Sequence, residues 1–152
     1  MRALGDDALV IAAADALGAA QRLLDMVIDH AKTRVQFGSP IGSFQSVAHL
    51  CVDMHETVEL MRSGLIHAAW AADAADAHER HLAALRLKAF SARLAEVGDT
   101  AVQIFGGIGF TWEHDAHRHL RRLLAFSALD GGSAASLEQV GALFVRSLGG
   151  QA

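Results

Sequence analysis

Residues 44–75 read FQSVAHLCVDMHETVELMRSGLIHAAWAADAA, and along them Val47, Cys51, Met54, Val58, Met61, Leu65, Ala68 and Ala72 recur at alternating steps of four and three. That spacing puts every one of these side chains on a single face of an α-helix, a face that packs lengthwise on neighbouring helices. Upstream, Leu9, Ala13, Leu17, Ala20, Leu24, Val27 and Ala31 mark a helix from Asp7 to Arg34. Downstream, Leu87, Phe90, Leu94, Val97, Ala101 and Ile104 mark a third from Glu79 to Phe105. A short helix over Asp115–Leu129 follows, and the pattern resumes from Ala134 to Leu148. The breaks carry turn chemistry: Gly38-Ser39-Pro40-Ile41-Gly42-Ser43 with Ser43 placed to cap the second helix, the polar run Asp73–His81, then Gly106-Gly107-Ile108-Gly109, then Gly131-Gly132. The expected fold is all-α, an up-down four-helix bundle with a short extra helix.

At 152 residues with 52% hydrophobic content, the chain reads as one domain, residues 1–152, with enough apolar mass for a core. A net charge of −4 leaves no basic stripe to track phosphates, which excludes nucleic acid as the partner class. Cys51 has no second cysteine to pair with and lies on an apolar stripe, so it reads as an ordinary buried thiol in a reducing, cytoplasmic compartment. Asp6 and Asp7 stand where a secretory leader would place positive charge, and no apolar run reaches membrane-spanning length.

Chemistry is expected at the helix ends. Arg34, in the last turn of the first helix, offers a planar fork suited to phosphate oxygens. Phe37 offers a flat face to an aromatic ring, and Gln45 opens the second helix with a side chain that both donates and accepts. Each also has a plain structural reading: a cation beside a helix C-terminus, a core plug, a surface amide. Gly106-Gly107-Ile108-Gly109 closes a helix and does not open one after a strand, so it is not a dinucleotide fingerprint of the βαβ type. A C-cap explains one of these glycines; three in four residues suggest that something approaches the backbone, with Gln103 one turn earlier facing the same approach. A large anionic cofactor such as a dinucleotide has these needs.

Taken together, Arg34-Val35-Gln36-Phe37-Gly38, Phe44-Gln45, Gln103-Ile104-Phe105-Gly106-Gly107-Ile108-Gly109-Phe110-Thr111 and the Arg121-Arg122 segment resemble the C-terminal helical domain of acyl-CoA dehydrogenases, over roughly Leu9 to Leu148. The family's N-terminal helical and middle β-domains are not represented in these residues. The resemblance implies FAD as cofactor and an acyl-CoA thioester as substrate, whose α-proton goes to a carboxylate while the β-hydride goes to the flavin. It further implies an electron-transfer flavoprotein as acceptor and a homo- or hetero-oligomer. By the same resemblance Arg34, Phe37 and Gln45, and the second segment Gln103, Ile104, Phe105, Gly106 and Gly107, contact the FAD of a neighbouring subunit.

The family's catalytic glutamate, carried over, falls nine residues after Arg121 on Asp130, followed by Gly131 at the substrate and by Gly132 and Ser133 beside the flavin. Asp130 is one methylene shorter, and Gly132 replaces a hydroxyl residue. The other base position used in the family falls near Ala8, without a carboxylate, and Leu9 stands where many members have arginine. Asp6 and Asp7 are close by, at what reads as a frayed start. Asp130 is therefore the candidate base, the alternative being that it only caps the last helix. Trp112-Glu113-His114 is similar to actinobacterial members acting on bulky acyl-CoAs, including steroid side chains. Some of those pair a catalytic subunit with one lacking a base, so the alternative function is a non-catalytic subunit that completes a partner's FAD site. His114 and His117, with Glu113 and Asp115 nearby, have a spacing open to a metal, but no second ligand cluster matches them; they are read as surface or substrate wall, with no metal.

Overall fold

The computed structural model describes residues 2–149. Its α-helices are α1 (Arg2–Thr33), α2 (Gln45–Ala74), α3 (Ala77–Ala89), α4 (Ser91–Phe105), α5 (Ala116–Ala128) and α6 (Gly132–Gly149). They form four rods: α1, α2, α3 continued by α4, and α5 continued by α6. Because α4 packs on α5 and α3 on α6, the third and fourth rods run antiparallel. The all-α bundle expected from the periodicity is the fold observed.

The central rod is α1, which packs against α2, α3, α4 and α5. Its expected stripe from Leu9 to Ala31 is buried throughout, and Ala16, Ala19 and Leu23 are buried beside it. The buried face is broad because neighbours close on α1 from several sides, and its alanines let those backbones come near. On the outer rod α2, only the middle of the stripe (Met54, Val58, Met61 and Ala68) is fully buried, and Val47, Cys51, Leu65 and Ala72 are half-buried. Close approach of α4 to α5 rests on Gly98, where an added Cβ would lie 2.5 Å from Leu120 Cδ1.

Several boundaries differ from the sequence reading. The turn expected over Asp73–His81 shrinks to Ala75-Asp76, because Asp76 caps α3, accepting from the backbone N–H groups of His78 and Glu79 at 2.9 Å each. The bonds from Glu79 and then His78 hold the Asp76 carboxyl below the usual range. The single helix expected over Glu79–Phe105 bends at Phe90, whose ψ of −8° tilts the chain between α3 and α4. No Pro or Gly marks this place. Instead the Ser133 hydroxyl donates to Ala89 O, a side chain inserted into the helical ladder.

The segment after α1 is more ordered than a loop. Strands β1 (Val35–Gln36) and β2 (Ser39–Pro40) pair antiparallel, and a 3-10 turn spans Ile41–Ser43. Ser43 does not cap α2: its hydroxyl donates to Pro40 O at 2.7 Å, and Phe44 is the N-cap residue. At the other end, α6 starts at Gly132 and α1 already at Arg2. Asp6 and Asp7 are thus not frayed. Asp6 is buried and hydrogen-bonds His81 Nδ1 at 2.8 Å, while Asp7 pairs with Arg80, both partners on α3. No described helix is long and apolar enough to cross a membrane.

Replacing Leu23, fully buried in α1, by Ala should cost about 2–5 kcal/mol in urea unfolding. Ile11→Ala on the same helix, 70% exposed, should stay within about 0.5 kcal/mol. Equal effects would contradict the placement of α1.

Candidate functional site

The hairpin after α1 turns through Phe37-Gly38, with φ of 52° and 81°. Two consecutive left-handed residues are the geometry of a tight two-residue hairpin turn, in which the first position favours Asn or Asp, not a bulky ring. Phe37 nevertheless occupies it, 95% exposed, its ring edge-to-face with Phe44 at a centroid distance of 6.2 Å. Beside it lies a groove of about 490 Å³, lined by Gln36, Phe37, Ile41 and Phe44, by Val47 and Leu50 of α2, and by Gln103 and Ile104 of α4. Residues separated by some sixty-five positions in the chain, Phe37 and Gln103, therefore face one space.

The glycine stretch divides by role. Gly106 ends α4 with φ of 65°, a conformation that suits glycine. A Cβ on Gly109 would lie 3.0 Å from Val102 O and from Phe105 Cβ, so close packing requires this glycine. Only Gly107 is left, with open space where a side chain would be. Backbone conformation thus accounts for Gly106 and packing for Gly109, which leaves one glycine of the three without a local cause. Phe105 is buried between His30 and His114, at ring-centroid distances of 5.2 and 4.2 Å. This stack ties the end of α1 to the end of α4.

Arg34 follows α1 directly: its N–H donates to His30 O and its carbonyl accepts from Ile41, both at 2.8 Å, and its side chain is exposed. Gln45 is the exposed first residue of α2. Neither walls the groove, although both lie on the elements that do. Burial foremost, then Arg34 and His114, push the His30 pKa below the ordinary imidazole value.

Asp130 lies at the other end of the molecule. It takes the left-handed conformation (φ 49°, ψ 48°), followed by Gly131 and Gly132 with φ of 79° and 83°. Aspartate tolerates this region better than most residues. The exposed Asp130 lines a hollow of about 320 Å³ with Asp6, Leu9, His81, Leu85 and Leu129. Ala8, at the family's other base position, borders the same hollow. The Ser133 hydroxyl is committed to Ala89 O.

Two parts of this end escaped the sequence reading. One is the Asp6–His81 pair, which needed knowledge of how α1 meets α3. The other is Lys88, fully buried, with Nζ donating to Ser91 Oγ at 3.2 Å and to Ser127 O at 2.9 Å. A signal existed: Ala84, Lys88, Ser91 and Ala95 are four and three apart, a charged residue within a stripe of small ones. In the Trp112–His119 segment, His117 Nδ1 pairs with His114 O at 2.7 Å, and His114 Nδ1 accepts from Ala116 N at 3.2 Å.

The family model described as acyl-CoA dehydrogenase, C-terminal domain, matches residues 1–143. The chain belongs to this family. It is 41% identical over 139 residues to acyl-CoA dehydrogenase FadE34 of Mycobacterium tuberculosis, covering 91% of this chain and 20% of that relative. Among solved structures it is similar to the Tcur3481-Tcur3483 steroid ACAD (TM-score 0.89, 31% identity, 95% of this chain and 40% of that one). It is also similar to PigA with FAD and proline (TM-score 0.82, 29% identity, 95% and 37%). The chain therefore spans well under half of the length of these relatives.

Because Phe37 holds a strained backbone, Phe37→Asn should stabilise the 152-residue chain by about 1 kcal/mol in urea unfolding. A loss of stability would show that the ring supports the fold. His30 and His119 are both held below the ordinary value of about 6.5, His119 by burial first and then by Arg122 and Arg22. The folded state thus binds fewer protons on them than the unfolded state does. Their contribution is present above about pH 6.5 and is lost as pH falls toward the folded-state values. The urea midpoint should drop over that range, and His30→Gln with His119→Gln should flatten the drop.

Proposed function

We propose that this chain is the FAD-contacting C-terminal part of a flavin-dependent acyl-CoA dehydrogenase, which forms a double bond between the α and β carbons of an acyl-CoA thioester. The observation that carries the reading is the convergence of the two candidate segments on one groove, which Phe37 and Gln103 both line. FAD fits the residues there: an exposed ring in a strained turn, an amide, an exposed guanidinium on the adjoining strand segment, and the open backbone at Gly107. Phe37 would stack, Arg34 would meet the diphosphate, and Gln45, Gln103 and the backbone from Ile104 to Gly107 would complete the contacts. When bound, FAD supplies the acceptor for the β-hydride.

Asp130 would take the α-proton, with Gly131 leaving room for the thioester and Gly132 and Ser133 bordering the flavin. Leu9, Leu85 and Leu129 would shield the reacting carbons from water. The groove and this hollow lie at opposite ends of α1; from Leu9 to Thr33 the helix rises about 36 Å at 1.5 Å per residue. Such a span favours two different flavins, each shared between chains, and so an oligomer of identical or related subunits. Exposed Leu137, Phe144 and Val145 on α6 offer apolar surface for such association. An electron-transfer flavoprotein is the proposed acceptor, and the likeness to the steroid ACAD favours a bulky acyl group.

In an FAD-loaded assembly with a flavin-holding β-domain, Asp130→Asn should lower turnover by at least about 100-fold while leaving FAD bound. Arg34→Ala should weaken FAD retention by about tenfold or more. Turnover that survives Asp130→Asn while Arg34→Ala still releases FAD would assign the chain to a non-catalytic, site-completing role.

A further inference from the structure

Lys88 heads the fully buried side chains when they are ranked by size. It lies under the turn that carries Asp130. Its Nζ donates to Ser127 O, three residues before Asp130, and the neighbouring Ala89 O accepts the hydroxyl of Ser133, three residues after it. The two shoulders of the left-handed turn are thus fastened to consecutive residues at the bend between α3 and α4. The Phe126 ring lies 5.5 Å from the ammonium and closes the site on the α5 side.

We propose that Lys88 is the positioning residue for Asp130: by anchoring the end of α5 at Ser127 O it fixes the left-handed turn that aims the Asp130 carboxylate. This rests on the reading of Asp130 as the base. A bridge between two oxygens needs only a neutral donor, whereas a buried ammonium is costly unless a negative charge answers it. Burial drives the lysine pKa down, and the Asp130 carboxylate acts in the opposite direction. An ammonium at a helix C-terminus is also favoured by the helix dipole.

The other ionisable groups at this end are engaged elsewhere. Asp6 of α1 pairs with His81 and Asp7 with Arg80, both on α3, and Arg93 of α4 lies over the Phe90 ring. Arg122 of α5 pairs with Asp15 of α1, and Glu138 of α6 is exposed. Lys88 is the charge enclosed beneath the turn.

The test compares Lys88→Met, which loses the donor to Ser127 O, with Lys88→Gln, whose donor is one methylene shorter. In the 152-residue chain the backbone NMR shifts of residues 127–133 should change, most in Lys88→Met and less in Lys88→Gln. In the FAD-loaded assembly kcat should fall in the same order, about tenfold or more for Lys88→Met, with little change in KM. Should Lys88→Met fail to fold, the smaller changes in Lys88→Gln give the readout. Unchanged shifts and kcat in the Lys88 variants beside an inactive Asp130→Asn would overturn the role of Lys88 alone. Full turnover by Asp130→Asn would overturn the base reading, and the catalytic part of this proposal with it.

Discussion

Packing around α1 is the constraint on which the rest of the molecule depends. Its alanines and leucines, among them Ala13, Ala20, Leu23 and Leu24, are buried by helices on several sides, so α1 has almost no freedom to shift along its length. Both candidate sites hang from its ends. The hairpin with Phe37 leaves its C-terminal end, where the His30–Phe105–His114 stack fastens it to α4. Asp6 and Leu9, near its N-terminal end, wall the hollow that Asp130 borders. A rigid central rod therefore sets the distance between the groove and the Asp130 carboxylate.

Each site contains a residue held in left-handed backbone conformation, Phe37 in one and Asp130 in the other. Such residues persist where their surroundings over-determine them. The hairpin pairing of Val35 with Pro40 and of Gln36 with Ser39 does this for Phe37. The bonds from Lys88 to Ser127 O and from Ser133 to Ala89 O do it for Asp130. Turns of this kind project a side chain at a fixed angle, which is what ring stacking and proton abstraction each require.

Polar groups of this bundle also separate by task. Asp76 caps a helix, and Asp7 and Arg80 clasp α1 to α3 at the periphery. Lys88 puts a full charge among apolar neighbours at the bend that receives the Asp130 turn. The bend is thereby tied to the Asp130 turn.

The heptad-like stripes of α1, α2 and α4 were legible in the sequence because burial on one face imposes the 3.6-residue period directly. So were the helix-ending glycines, and the motifs pointing to an acyl-CoA dehydrogenase C-terminal domain. Local sequence did not reveal the bend at Phe90, since its cause, Ser133, lies more than forty residues away. Nor did it reveal that Asp6 is paired and buried by His81, or that Gly109 is required by its neighbour's carbonyl and not by a ligand. The periodic pattern determined which faces turn inward, because hydrophobic burial is read residue by residue. Which residues come together across the bundle, Phe37 and Gln103 around one groove and Lys88 at the Asp130 turn, was decided by tertiary packing alone, since they lie on elements that no local spacing relates.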